Sequence, residues 1–321
     1  MDKVFFTNSG AEAVEAALKC AKKYGYLRDK RSGFEIIAMN SSFHGRTVGA
    51  LSVTGTAHYR EPFYPLMDGV SFADFNDLDS VKRLVTDNTI AIIFEPVQGE
   101  GGITPATYEF AEGVNKLCKE NDILLILDEI QCGMGRTGSM YAYMDYGISP
   151  DIITTAKALG GGLPVGAICV TKKVADASLE PGDHGTTYGG NPLALAAAAA
   201  SISIMEKRNL TGHVRNLTPY LEEVLENIVN DYDFIKLRRG KGFMQGLVLD
   251  ENLSAGDVVK SALDNGLILL TAGGNVLRFL PPLVIEKDDI DNMDELKNGI
   301  GLRAYGQKDR SEERRVGKEC R

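Results

Sequence analysis

Ile123-Leu124-Leu125-Ile126-Leu127-Asp128-Glu129 is a run of five aliphatic residues closed by two acids. A segment this short and this apolar reads as a strand buried on both faces, as in the middle of a parallel sheet. The acids then fall at its carboxyl end, where open α/β sheets place their ligands. Outward from it, short apolar runs alternate with longer amphipathic ones. Strands are expected at Val4 to Thr7, Glu35 to Met39, Ile90 to Phe94, Asp151 to Thr154 and Ala167 to Val170, and helices at Ala11 to Tyr26 and Thr107 to Asn121. This alternation predicts an α/β fold built on a mostly parallel sheet.

From Pro192 to about Arg208 an alanine-rich stretch favours a long helix, long enough to bridge two domains. Beyond it the pattern changes: a helix near Pro219 to Val229, a strand pair within Phe234 to Leu249, a helix Ala255 to Asn265 and a strand Val276 to Phe279. The expected division is a large domain over residues 1–208 and a smaller α+β domain over 209–302. Residues 303–321 are set apart as a non-native tail.

Both ends carry their own expectation. A buried strand beginning at Val4 implies that a segment ahead of it is missing. Residues 310–321 read RSEERRVGKECR, eight of twelve charged and without an apolar stripe. That dodecapeptide resembles translated sequencing adapter and is excluded from fold reasoning, Cys320 with it.

The net charge of −9 is spread over short patches of both signs, which gives no polyanion-binding surface, so no nucleic-acid partner is expected. With 44% hydrophobic residues but no apolar run of about 20, no membrane span is expected either. Five scattered cysteines without a CxxC pair argue against a disulfide framework or a zinc site and fit a reducing cytoplasm. His44, His58, His184 and His213 lack metal-ligand spacing, and His58 and His213 read as surface residues. No metal is called for.

Several positions carry chemistry. Ser9-Gly10 joins a strand to a helix, a place where free N–H groups can hold a phosphate, although a plain helix cap explains Ser9 equally well. Asp128 at a strand end needs a partner: either the next turn or the protonated ring nitrogen of a cofactor. Lys157, between small residues and Gly160-Gly161-Gly162, is expected to be buried and nucleophilic. In Phe43-His44-Gly45-Arg46-Thr47 a stacking ring accompanies an arginine suited to carboxylates. Arg278, inside an apolar run, needs an anion, and Glu95 at the end of Ile90 to Phe94 is the candidate. Gly133, Gly135 and Gly138 imitate a dinucleotide-binding GxGxxG, but Asp128 to Cys132 intervene after the strand and no helix start follows. A non-catalytic module would be expected to lack Lys157 or Asp128, and both are present.

In order along the chain stand NSGAEA (8–13), FHGRT (43–47), FEPVQGEGG (94–102), LDEIQCGMGRTG (127–138), PDIITTAKALGGGLPVGA (150–167), HGTTYGGNPLA (184–194) and LRFLPPL (277–283). From Asp2 to about Ile300 the sequence resembles the class-III aminotransferases, pyridoxal-phosphate enzymes of fold type I. CGMGRTG, DIITTAKALGGG and TYGGNPLA are most similar to their acetylornithine branch.

The resemblance implies a complete site. Lys157 would hold the cofactor covalently and shuttle a proton; Asp128 would pair with the ring nitrogen and Gln131 with the phenolic oxygen. Ser9, Gly10 and Ala11 would bind the phosphate, with Thr187 of a neighbouring subunit, and Phe43 would stack on the ring. Arg46 would grip the substrate carboxylate remote from the amine, and Arg278 the α-carboxylate of glutamate, with Glu95 neutralising it when an ω-amine is bound. A homodimer with shared sites, an amino donor and 2-oxoglutarate as substrates, and a place in arginine biosynthesis follow from the same resemblance, with other ω-aminotransferase activities (ornithine, succinylornithine, 4-aminobutyrate) as alternatives.

Overall fold

The computed structural model describes residues 1–30 and 33–296. The sequence positions set aside at 303–321 therefore lie outside the described residues. Among the described residues thirteen strands follow in chain order: β1 (Lys3–Thr7), β2 (Glu35–Met39), β3 (Val70–Ala73), β4 (Thr89–Phe94), β5 (Val97–Gln98), β6 (Thr104–Pro105), β7 (Leu124–Asp128), β8 (Ile152–Thr155), β9 (Gly166–Val170), β10 (Ile235–Lys241), β11 (Met244–Leu249), β12 (Leu270–Ala272) and β13 (Val276–Phe279). Seven of them form one sheet in the order β1-β9-β8-β7-β4-β2-β3.

The pairs β3–β2, β2–β4, β4–β7 and β7–β8 are parallel, and β9 runs antiparallel to both β8 and β1. The expected mostly parallel sheet is present. Every residue of β4 and β7 is buried, the burial that their unbroken apolar runs require. One apolar layer packs the helix Gly10–Asp29 on one face through Val14, Leu18 and Ala21, and another packs the helix Tyr108–Glu120 on the other through Phe110 and Val114.

Because β9 reverses direction between β8 and β1, the carboxyl ends of β1, β2, β4, β7 and β8 all lie along the same edge of the sheet. Asp128 is the last residue of β7, and Ser9, Phe43, Glu95 and Lys157 each follow another of those ends. The helix Gly10–Asp29 begins there too, capped by Ser9, whose hydroxyl accepts from Glu12 N at 3.2 Å.

A second sheet, β10-β11-β13-β12, is antiparallel throughout. Its core gathers Val214, Leu221, Leu225, Phe243, Leu247, Val258 and Leu277. The helix expected from Pro219 begins earlier, spanning Leu210–Asp231 with Pro219 inside it. Leu210, Val214, Leu221, Val224, Leu225 and Ile228 are buried along one face. Packing of that stripe outweighs the hydrogen bond that the proline forgoes, although proline by itself favours a helix start. The sheets are fastened by arginines that donate to carbonyls: Arg136 to Phe243 O and Pro281 O, Arg215 to Gly138 O, and Arg239 to Gly102 O at 2.6 Å.

His58 is exposed as expected, but His213 is half-buried and its Nε2 lies 2.7 Å from Ile285 O, so its surface reading is corrected. Its ring packs edge-on against Phe243, which ties it to the second core.

Gly166 begins β9 at the closest approach of that strand to the site. A Cβ there would stand 2.4 Å from Ser9 O and 2.6 Å from Thr7 Oγ1. Gly166→Ala is expected to lower the unfolding free energy of the cofactor-free chain by about 1–3 kcal/mol in urea titrations, the usual cost of overpacking. An unchanged midpoint would show that the turn at Ser9 yields freely.

Candidate active site

A cleft of about 520 Å³ opens at the strand ends. Asn8, Ser9, Gly10 and Ala11 line one end, Phe43 and Arg46 a wall, Glu95, Asp128 and Gln131 the floor, and Lys157 the rim. Of the residues to which the resemblance assigns a role, all but Thr187 and Arg278 meet in this one space.

Asp128 is the last residue of β7 and only 3% exposed. Its Oδ1 accepts from Ile130 N at 3.0 Å and from Thr154 Oγ1 at 3.1 Å, and its Oδ2 lies 2.7 Å from His44 Nδ1. Glu95, after β4, accepts from Phe43 N at 3.0 Å and Gly99 N at 3.2 Å. Glu129 accepts from Ala142 N at 2.9 Å and Tyr143 N at 2.7 Å.

Arg278 does not pair with Glu95. Its Nη1 donates to Glu100 Oε1 at 2.5 Å and reaches Gln131 Oε1 at 3.5 Å. The reason is topological: Glu95 points into the floor, where two backbone N–H groups bind it, whereas Glu100 lies in the turn that docks on the second sheet, with Gly273 N donating to Glu100 O at 2.8 Å. Arg278 therefore meets the cleft only through Gln131.

Lys157 is exposed, not buried. It follows the end of β8 with a positive φ of 45°, and the adjoining Gly162 and Leu163 are exposed too, so the cleft is open on this side. The guanidinium of Arg46 lies 5.3 Å from the centre of the Phe43 ring and 5.7 Å from that of Tyr59, and the two rings meet edge to face. Thr187 is exposed and outside the cleft, while its neighbour Thr186 accepts from Asn8 Nδ2 at 2.8 Å.

Sequence reasoning passed over His44 and Glu100, although both stand inside quoted motifs. A motif marks a segment; which of its side chains turns inward depends on the turn that follows.

Pyridoxal phosphate fits this set of groups. The first turn of the helix Gly10–Asp29 offers N–H groups without intrahelical partners beside the Ser9 hydroxyl, suited to a phosphate. The half-buried Phe43 ring suits a flat heterocycle, Asp128 a protonated ring nitrogen, and the Lys157 amine an aldehyde.

Burial raises the carboxyl pKa of Glu95 to about 7, against the pull of His44 and of two N–H donors. It raises Glu129 likewise to about 7, against the N–H groups of Ala142 and Tyr143. Burial disfavours the His44 imidazolium, but the hydrogen bond and charge of Asp128, with the charge of Glu95, outweigh it and raise that pKa as well. All three groups hold a proton more tightly folded than unfolded. Their contribution is complete below the unfolded values and is lost as pH rises through the folded ones. The unfolding free energy of the cofactor-free chain is thus expected to fall between about pH 5.5 and about pH 8, by an amount on the order of 1–3 kcal/mol. Urea titrations across that window check it, and a flat or rising stability would contradict it.

The family described as Aminotransferase class-III matches residues 1–298. An acetylornithine aminotransferase from Methanocaldococcus jannaschii is 48% identical over 91% of this chain and 72% of its own. A succinylornithine transaminase from Yersinia enterocolitica is 44% identical over 95% of the chain and 74% of its own. Among solved structures, ornithine aminotransferase from Toxoplasma gondii superposes with a TM-score of 0.89 at 32% identity, covering 95% of this chain and 74% of that one. N-acetylornithine aminotransferase from Stenotrophomonas maltophilia gives a TM-score of 0.79 at 34% identity, over 95% and 75%. With its cleft at the carboxyl ends of a fold-type-I sheet, this chain belongs to the class-III aminotransferases, which are pyridoxal-phosphate enzymes.

Proposed function

We propose that the chain moves the ω-amino group of N-acetylornithine to 2-oxoglutarate, giving N-acetylglutamate 5-semialdehyde and glutamate, as a cytoplasmic step of arginine biosynthesis. The observation that carries the reading is the Arg278–Glu100 pair beside Gln131. One site must accept in turn a substrate whose reacting carbon bears no carboxylate and one whose reacting carbon bears one. A neutralised arginine suits the first, and a freed arginine binds the second. The correction to Glu100 moves this switching role away from Glu95.

Pyridoxal phosphate, when bound, supplies the electron sink that stabilises the carbanion at the substrate carbon. The residues do the rest. Ser9 and the N–H groups of Gly10 and Ala11 would bind the phosphate, Phe43 would stack on the ring, and Gln131 would donate to its phenolic oxygen. Asp128 would accept a hydrogen bond from the protonated ring nitrogen and so keep that proton on the ring. Lys157 would hold the cofactor through its amine and, once displaced by the incoming substrate amine, would carry on Nζ the proton taken from the substrate carbon. Arg46 binds the carboxylate of the donor remote from its amine.

A homodimer is part of the proposal. Thr187 is exposed beside Tyr188 and Leu193, which are 73% and 71% exposed, and Lys157 and Leu163 stand uncovered at the rim. A second copy over this face would bury that apolar surface and supply Thr187 to the phosphate. The four cysteines among the described residues are free, in agreement with a reducing compartment, and no helix among those residues is long and apolar enough to cross a membrane.

Succinylornithine is the second donor to test, given the Yersinia relative. Lys157→Ala is expected to abolish turnover and the visible absorption of the bound cofactor. The unaltered chain is expected to use N-acetylornithine with a kcat/KM above those for succinylornithine, ornithine and 4-aminobutyrate; a higher value for any of these would reassign the donor. Glu100→Gln, which leaves Arg278 charged throughout the cycle, is expected to raise KM for N-acetylornithine about tenfold and to leave that for 2-oxoglutarate equal or lower. Equal effects on both substrates would contradict the switching role.

A further inference from the structure

We propose that Glu15 is the positioning residue for Arg46: reaching out from the helix Gly10–Asp29, its carboxylate caps the turn that follows Arg46 and so sets where that arginine stands in the cleft. This rests on the assignment of Arg46 given above. Arg46 is exposed, and its guanidinium lies against the faces of Phe43 and Tyr59. Ring faces attract a cation but offer it no directed hydrogen bond, so the direction of the side chain depends on its backbone.

Directly after Arg46 the chain enters the short helix Val48–Ser52, with Thr47 at the position from which a hydroxyl ordinarily caps the first turn. Thr47 makes no such bond. Its hydroxyl donates instead to Glu15 Oε1 at 2.6 Å, and the same oxygen accepts from Gly49 N at 2.9 Å and Ala50 N at 3.1 Å. Those two N–H groups are the ones a local cap would have satisfied, so Glu15 performs from a neighbouring helix what Thr47 does not.

Glycines on either side of Arg46 let the loop come this close. A Cβ on Gly49 would stand 2.2 Å from Glu15 Oε2, and one on Gly45, whose φ is +136°, would stand 2.9 Å from Ala11 Cβ. Ala11 and Glu15 are four residues apart on one helix face, so the loop is laid along consecutive turns of a single element. The same helix begins at the Ser9 turn, about one and a half turns before Glu15. The groups suited to a phosphate and the arginine suited to a carboxylate are thereby referred to one helix, which fixes the span between them.

The test compares two amines on the full chain with its cofactor: N-acetylornithine and N-acetylputrescine, the same molecule without its carboxylate. Glu15→Ala removes the cap. Gly49→Ala leaves Glu15 in the sequence but displaces its carboxylate, the free end of a flexible side chain, at a helical position where alanine is otherwise favoured over glycine. Both variants are expected to lower kcat/KM for N-acetylornithine about tenfold, mainly through KM, with N-acetylputrescine and the affinity for pyridoxal phosphate changed less than about threefold. Glu15→Gln keeps an acceptor oxygen and is expected to stay within about threefold of the unaltered chain on both amines. Equal losses on the two amines would reduce Glu15 to a general structural role and overturn the proposal. Unchanged discrimination in Glu15→Ala and Gly49→Ala, or in Gly49→Ala alone should the first fail to fold, would overturn it too, as would a Glu15→Gln no better than Glu15→Ala. Arg46→Ala is the control: if it treats the two amines as the unaltered chain does, the carboxylate role of Arg46 fails instead.

Discussion

The site depends on keeping one carboxylate, Asp128, out of water. Isolated, an ionised acid would not stay charged in such a place. Here three donors from three parts of the chain share it: Ile130 N from the turn after β7, the Thr154 hydroxyl from β8, and His44 from the loop beyond β2. Thr154 and His44 reach Asp128 because β8 and β2 end at the same edge of the sheet as β7, and Ile130 because the chain turns directly after it. A chain that paired β7 and β8 in another register would lose the Thr154 bond, so the alignment of Asp128 with Thr154 is as much part of the site as either residue.

The same alignment explains why the cleft forms where it does. Five strands of the large sheet point their carboxyl ends one way, and the reversed β9 brings Gly166 and Val165 back against the Ser9 turn. A side chain at Gly166 would push that turn outward, and with it the helix start that offers its N–H groups. The Ser9 end of the cleft and its acidic floor are therefore set by neighbouring strands of one sheet.

Much of this was readable beforehand. Unbroken apolar runs marked β4 and β7, because burial on both faces leaves no room for polar alternation. The acids and the lysine that close such runs marked the site. What escaped notice was of another kind. Val70–Ala73 is four residues long and mostly half-buried, too weak a pattern to mark a strand. The start of the helix at Leu210 was hidden because Pro219 suggested a start of its own, and only the stripe from Leu210 to Ile228 decides otherwise. The partner of Arg278 was misread because Glu95 and Glu100 share one motif five residues apart. Their side chains are separated by the turn through Gly99, whose geometry no periodicity reports. Lys157 was expected inside because small residues surround it; small residues at a rim leave it open instead.

Glu100 and Arg278 also show how the second sheet takes part. Asp128 and Lys157 belong wholly to the large sheet, whereas Arg278 belongs to β13. What carries Arg278 to the cleft is a set of backbone contacts, Arg239 to Gly102 O and Gly273 N to Glu100 O among them, that lock the 99–102 turn onto the second sheet. Arg136 and Arg239 donate to carbonyls and meet no carboxylate among the described residues, and burial depresses both guanidinium pKa values, that of Arg136 to about 10. Such contacts fix distance without adding negative charge near Arg278. Glu100 pairs with it through a side chain that is 30% exposed, while the Glu100 backbone is held by Gly273 N; under the proposed switch that side chain swings away and the turn stays in place. Chemistry at the floor and selection at the second sheet can then vary independently, which suits a fold whose members share a reaction and differ in the amine they take.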